Sequence, residues 1–225
     1  MRGNDVTSAN HPSQQMEPTI SSSLPKLALA VRLATLDDVP AITTLISTSK
    51  LKGSLASVYG VDTTLVKDGD YFVVTMPLLR PNGRDQKDLT LEVSKAREHD
   101  TERRIIACGG WSFRSTLYGG DQFSSRNDDN LMNLETDAAK IRALFVHPDF
   151  TRMGIGGLIL DKCENEARKR GFKRAEMGAT FAGVKFYRTR GYELLMDQGT
   201  DGVEERKLEN GEVLKLVRMG RLLVQ

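Results

Sequence analysis

Cysteine is scarce: Cys108 and Cys163 are the only two in 225 residues, with no CxxC pair and no histidine at ligand spacing from either. This excludes a disulfide framework and the usual zinc sites, so the expectation is two free thiols, a reducing cytoplasmic compartment and no bound metal. A surplus of either charge is lacking as well. The 32 Lys and Arg residues stand against 30 Asp and Glu, for a formal net charge of +2, which argues against a generic polyanion binder; no nucleic-acid partner is expected. No apolar run approaches the ~20 residues of a membrane span, and the N-terminus lacks the charged, apolar and small-residue layout of a secretory signal. No membrane association is expected. Internal repeats are absent too. What the composition supplies, 39% hydrophobic and 28% charged residues, is an ordinary globular chain with one sizeable core.

Residues 1–27, dominated by Ser, Asn, Gln and Pro, bury too little apolar surface to offset the entropy of ordering and read as a disordered tail. A single domain is expected over 28–225. LALAVRLAT is strand-like, and the helix after it has Thr35 as candidate N-cap, Asp37 and Asp38 in its first turn, and Val39, Ile42, Leu45 and Ile46 at helical spacing. A second helix is expected around Leu55 to Val66, then a turn at Lys67–Asp70 and a strand in YFVVTM. The polar stretch Pro81 to Arg103 reads as a solvated arm. Ile105 to Phe113 is a strand in which Gly109 and Gly110 signal a bulge or a close backbone approach. An acidic loop insertion follows at about 115–138. Strand KIRALFV, helix GIGGLILDKCENEARKRG with its stop at Gly171, strand RAEMGAT, short helix AGVKFYRTRG and strand YELL come next. A turn at Glu209–Glu212 leads to the last strand, VLKLVRM. The order gives an α/β (α+β) class with a mixed sheet flanked by helices.

The segment VHPDFTRMGIGGLIL, Val146 to Leu160, places three glycines at the mouth of a helix, although each costs roughly 1 kcal/mol relative to alanine inside one. The first amides of a helix have no intrahelical partner and sit at the positive end of the macrodipole. Glycines there let a phosphate reach those amides. The alternative is close packing of helix on sheet. Two phosphate motifs are ruled out. GxxxxGK[ST] is absent, and GxGxxG breaks at Ile159, three residues after Gly156.

Three stretches carry a resemblance. LFVHP followed by TRMGIG is similar to the strand ending in Val-x-Pro and the [Gln/Arg]-x-x-Gly-x-[Gly/Ala] loop of the GNAT superfamily of acyl-CoA-dependent N-acyltransferases. FAGVKFYRTRGYELL (with Phe186, Tyr187, Gly191 and Tyr192) resembles the family's short helix, and VRLATLDDVPAI its first strand and helix. Together they span roughly Val31 to Met219 in the family's order. The resemblance implies a mostly antiparallel central sheet with a splayed parallel pair, and acetyl-CoA as cofactor. It implies that Arg152, Met153, Gly154, Ile155, Gly156 and Gly157 hold the pyrophosphate and that Leu144, Phe145 and Val146 line the pantetheine arm. The Leu144 amide would polarise the thioester carbonyl, and Thr180 stands where an asparagine often reaches the coenzyme. Tyr187 takes the place of the acid that protonates the departing thiolate, a role open to a phenol of ordinary pKa ~10. Packing beside Phe186 is the alternative for Tyr187.

The chain departs from the family at three places. Thr151 replaces Gln or Arg at the loop head, Thr180 replaces the asparagine, and Lys140 stands where some members carry a base glutamate. A lysine of ordinary pKa ~10.4 is protonated at neutral pH and makes a poor base. The base is therefore open among Asp128, Asp129, Glu135, Asp137 and Glu176, each of which could equally be a solvated carboxylate, and His147, read as lying at the exposed end of its strand. Lys140 and Arg142 share a strand face and suggest a pocket for an anionic acceptor, or pairing with the 115–138 loop. Lys162 to Arg174 reads as a solvated helix face with Glu164–Arg168 and Glu166–Arg170 pairs, or as a contact for the coenzyme's 3′-phosphate. Trp111 is expected in the core. The expected activity is transfer of acetyl from acetyl-CoA to a primary amine of a small molecule or peptide by direct attack. A non-catalytic acyl-CoA sensor is the alternative. The oligomeric state is left open, a homodimer included.

Overall fold

The structure, a computed structural model, describes residues 29–49, 60–78, 102–114, 132–196, 202–207 and 213–223. The expected tail at 1–27, the arm at 81–101 and the greater part of the 115–138 loop lie outside them.

Eight strands form one sheet: β1 (Ala30–Leu33), β2 (Tyr71–Pro77), β3 (Arg103–Ser112), β4 (Ala139–Val146), β5 (Arg174–Ala179), β6 (Glu193–Leu194), β7 (Val203–Lys207) and β8 (Val213–Leu222). Their spatial order is β1-β2-β3-β4-β5-β8, with β6 and β7 sharing the outer edge of β8. Every pairing is antiparallel except β4 with β5. Among the described residues four helices flank the sheet: α1 (Val39–Thr48), α2 (Thr63–Asp68), α3 (Ile155–Lys169) and α4 (Phe181–Thr189). This is the mixed, mostly antiparallel sheet with one parallel pair that the resemblance implies.

Each face of the sheet has its own core. Ile155, Ile159, Leu160, Cys163 and Ala167 recur at helical spacing on α3 and pack against Phe72, Ala107, Ile141, Ala175 and Met177. On the other face, Ile42, Leu45 and Ile46 of α1 join Leu65 and Val66 of α2 over Tyr71, Val73, Cys108 and Phe145. Burial of each large aliphatic side chain contributes about 1.5–3 kcal/mol. Trp111 is buried, edge-on to Phe172, as expected.

Two local points add to the expectation. Of the helix expected around Leu55 to Val66, the described residues show Thr63–Asp68, where the Asp62 carboxylate accepts from the Leu65 amide at 2.8 Å and fixes the start. Gly69, at φ 78°, ends it. The segment 50–59 lies outside the described residues. Strand β7 has no counterpart among the expected elements: VEERK lacks apolar alternation, although the Asn-Gly at 210–211 is a hairpin signal that calls for a strand before it.

Asp70 is buried at the start of β2, on the wall of a cavity of about 330 Å³, and no described side chain hydrogen-bonds to its carboxylate. Burial pushes its pKa up to about 6, with Arg170 opposing the rise. A folded-state value above the unfolded one means that the contribution to stability is complete below pH ~4 and is lost as pH rises through about 6. That rise corresponds to about 3 kcal/mol, which solvent screening at a cavity wall reduces to about 1–2 kcal/mol. Asp70→Asn is therefore expected to stabilise the chain by that amount at pH 7 and by little at pH 4. Urea unfolding at the two pH values checks it, and an equal gain at both would refute the assignment.

Candidate functional site

The parallel pair is short. β4 and β5 are in register only at Ala139↔Ala175 and Lys140↔Glu176, and beyond that rung the strands part. The cleft between them holds a cavity of about 410 Å³. Leu144, Phe145 and Val146 line one wall, Gly178, Thr180, Phe186 and Tyr187 the other, with Arg142 and Ser49 behind. β5 pairs with β8 along its whole length, Arg174–Ala179, and among the described residues no strand pairs with the cleft-facing edge of β4 beyond Lys140.

A bulge shapes that edge. Arg142 pairs with Gly110 and Phe145 with Cys108, so Ala143 and Leu144 together stand opposite Gly109. Ala143 takes φ 49°, left-handed backbone that costs a non-glycine residue about 1–2 kcal/mol. The extra residue resets the alternation: Arg142 and Phe145 face α1, whereas Leu144 and Val146 pack toward α3. Gly109 is required here, since a Cβ would lie 2.6 Å from Ile159 Cγ2 and 3.2 Å from Leu144 Cα.

At the end of β4 the chain turns through a short 3₁₀ segment, Pro148–Phe150, into the glycine loop. Thr151 lines the cavity, and its amide is taken by the Pro148 carbonyl. Arg152 and Gly154 both have left-handed backbones, at φ 65° and 80°. The Gly154 carbonyl accepts from Gly157 at 2.9 Å and from Leu158 at 3.3 Å. None of the amides from Arg152 to Gly156 finds an acceptor among the described residues. Five consecutive amides left without an acceptor at a helix N-terminus, with no side chain at Gly154 or Gly156, are the arrangement that anions favour.

Gly157 departs from the expected set, because its amide is spent inside the helix. A Cβ there would make only an ordinary contact, 3.7 Å from the Arg190 guanidinium, so close packing does not require this glycine either. Gly156 borders the cleft, its absent Cβ 3.4 Å from the Phe186 ring and 3.7 Å from Val146 Cγ2. Ile155 buries its side chain and offers only its backbone; Met153 and Arg152 are exposed.

Tyr187 comes to the cavity from α4. Its ring lies 5.0 Å from Phe186 and 5.9 Å from Tyr192. Thr180 caps the N-terminus of α4 at extended φ/ψ and lines the same wall. Leu144, Phe145, Val146, Thr180 and Tyr187 thus share one cavity, with the free amides of the glycine loop following on from Thr151.

The candidate bases do not reach it. Glu176 is buried rather than solvated: its carboxylate accepts from Lys140 Nζ at 2.8 Å and from Arg218 at 2.7 and 3.0 Å. Burial alone would raise its pKa, but these two cations outweigh burial and hold it below the ordinary carboxylate range. Glu135 pairs with Lys173, and Asp137 accepts from the Asn133 amide. His147 is part-buried, with Nε2 2.7 Å from Arg104 and Nδ1 accepting from the Asp149 amide. Asp128 and Asp129 lie outside the described residues. Among the described residues no carboxylate or histidine lines the cavity.

Among the described residues, Lys140 is matched with Glu176 and Arg142 lies 3.7 Å from Asp62, both pairs being buried. Most of the 115–138 loop, the other expected partner, lies outside the described residues. Arg142 also lines the cavity. On α3, Glu164 pairs with Arg168 as expected, but Glu166 holds Lys162 and Lys169, while Arg170 lies over the Phe113 ring. Cys108 is fully buried and its thiol pushed up to about 12, which leaves no thiolate to carry an acyl group. What sequence reasoning missed is the support of the bulge by Tyr71 and Cys108: the Tyr71 hydroxyl reaches the Ala143 carbonyl from β2, and no local pattern signals a contact 72 residues apart.

Among the described residues no helix is long and apolar enough to cross a membrane, and no group of three His, Cys, Asp or Glu side chains could hold a metal ion.

Residues 79–192 match the sequence model of the Acetyltransferase (GNAT) family. No curated protein matches the chain by sequence. Solved structures share its fold. Ard1 from Thermoplasma volcanium aligns over 88% of this chain and 100% of its own, at 12% identity and TM-score 0.53. A ribosomal-protein-alanine N-acetyltransferase from Brucella melitensis aligns over 86% and 99%, at 15% identity and TM-score 0.50. N-acetylglutamate synthase from Neisseria gonorrhoeae, complexed with coenzyme A and N-acetyl-glutamate, aligns over 88% of this chain and 35% of its own, at 15% identity and TM-score 0.50.

Proposed function

The chain belongs to the Acetyltransferase (GNAT) family, and from that premise we propose that it transfers an acetyl group from acetyl-CoA to a primary amine of a small molecule or peptide. The observation that carries this reading is the row of free amides from Arg152 to Gly156 at the mouth of a cleft whose β4 edge lacks a strand partner.

Acetyl-CoA, the family's acyl donor, supplies an activated thioester. The loop amides take the diphosphate, each contact contributing about 1–2 kcal/mol as a charge-assisted bond. Phe145 and Val146, on β4 beside the cleft, line the path of the pantetheine arm. The Leu144 amide polarises the carbonyl under attack. Tyr187 gives its hydroxyl proton to the departing sulfur. The incoming amine attacks directly, since Cys108 is buried and protonated and among the described residues no carboxylate or histidine lines the cavity to activate another nucleophile. The proton that nitrogen sheds passes to solvent, from which Tyr187 regains its own.

The names of two similar folds, one a ribosomal-protein-alanine N-acetyltransferase and the other an N-acetylglutamate synthase, put peptide α-amines and free amino acids on the acceptor panel beside polyamines. Calorimetry is expected to register acetyl-CoA binding, and a thiol-release assay to register turnover with at least one of these amines. Binding without turnover across the panel would favour a sensor. No binding would end the assignment.

A further inference from the structure

Tyr71 opens β2 and is fully buried beneath α1 and α2. A phenol there needs a polar partner for its hydroxyl. It has two, the Ala143 carbonyl at 3.3 Å and Cys108 Sγ at 3.4 Å. The hydroxyl has one proton and the carbonyl is the stronger acceptor, so the proton goes to Ala143 and the thiol turns toward the phenol oxygen. The Cys108 sulfur also receives the backbone amide of Phe145. One pair of buried side chains therefore ties down the residue before Leu144 and the residue after it.

Those ties fall where the backbone is least able to hold itself. Ala143 is non-glycine at positive φ, and the ladder to β3 skips both Ala143 and Leu144. A strained bulge persists only where its surroundings determine it. From the other side of the sheet, Ile159 presses toward the gap at Gly109 and Leu144. The Tyr71 hydroxyl is the side-chain contact that the described residues provide to the bulge carbonyl.

We propose that Tyr71 is a positioning residue for acetyl transfer: by holding the Ala143 carbonyl, its hydroxyl sets the direction of the neighbouring Leu144 amide. This rests on the reading of Leu144 as the group that polarises the thioester. Tyr71 touches neither donor nor acceptor; its effect runs through β4. Nor does it touch the loop amides that take the diphosphate, so donor affinity and rate should separate.

The test is Tyr71→Phe, which keeps the ring and removes only the hydroxyl. At saturating acetyl-CoA and amine, kcat is expected to fall by about 10–100-fold, the scale of a donor misplaced by a fraction of an ångström. The calorimetric Kd for acetyl-CoA should stay within about twofold. Hydrogen exchange reads the same device without turnover. The Leu144 and Phe145 amides should exchange about tenfold faster or more in the variant, with Val73 of β2 unchanged. Unaltered exchange at Leu144 overturns the proposal, as does kcat at the wild-type level or a loss of acetyl-CoA affinity in step with kcat. Should Tyr71→Phe fail to fold, Cys108→Ala supplies the same readouts, with faster exchange at Phe145 expected and unchanged exchange overturning the network. A wild-type chain that binds acetyl-CoA but turns over no amine would defeat the functional reading instead, and the exchange result would still decide whether Tyr71 holds the bulge.

Discussion

Tyr187→Phe is expected to lower kcat by about 10²–10⁴-fold, the usual worth of a positioned general acid, and to leave acetyl-CoA affinity near the wild-type value. The reasoning is geometric. The ring packs against Phe186 and Tyr192, and phenylalanine preserves both contacts, so the fold and the cavity wall survive. Only a proton donor is removed from a cavity lined by Leu144 and Val146. Its loss should be felt when sulfur departs and not when the donor binds, which places the effect in kcat rather than in Kd. If kcat stays within about threefold of wild type, Tyr187 is a packing residue and the proton comes from elsewhere.

Glu176→Ala is the substitution expected to cost most in stability. Glu176 sits on the last rung where β4 and β5 pair, and its carboxylate answers Lys140 and Arg218 together. Removing one member of a buried ion pair leaves the other charge uncompensated and costs about 3–5 kcal/mol. Arg218 is relieved in part by Glu204 at 3.4 Å, but among the described residues Lys140 has no second carboxylate, which keeps the expectation in the upper half of that range. Denaturant unfolding at pH 7 measures it; a loss below about 1 kcal/mol would mean that the triad contributes little. The sign of the pH dependence follows from the direction of the shift. Since Glu176 is held below its ordinary value, its contribution is present above pH ~4.5 and disappears as pH falls through the folded-state value. Glu176→Gln should flatten that acid limb.

Much of this was open to reading along the chain. The glycine loop, the helix after it and the Phe186–Tyr187 pair are local patterns, in which spacing alone places an apolar face or a free amide. The parallel pair and the cleft followed from the resemblance those patterns carry. What could not be read depends on residues far apart. KIRALFV looks like an unbroken strand, because an alanine gives no sign that it will adopt φ 49°; the requirement arises from Gly109 and Tyr71 on other strands. Lys140 and Arg142 suggested an anion pocket because their partners, Glu176 and Asp62, are distant in sequence. Gly157 was grouped with its neighbours by spacing, whereas its amide belongs to the helix. Strand β7 is polar and announced only by the turn that follows it.

With no side chain at Gly109, Ile159 of α3 and the kinked backbone at Leu144 close on the same gap. The two ends of the cleft are thereby braced against each other, and the span between them is set by the body of the protein rather than by whatever enters. Such a frame works as a gauge. On the function proposed above, a thioester on a tether of the right length would lie with its carbonyl at the kink, and one on a shorter or longer tether would miss it.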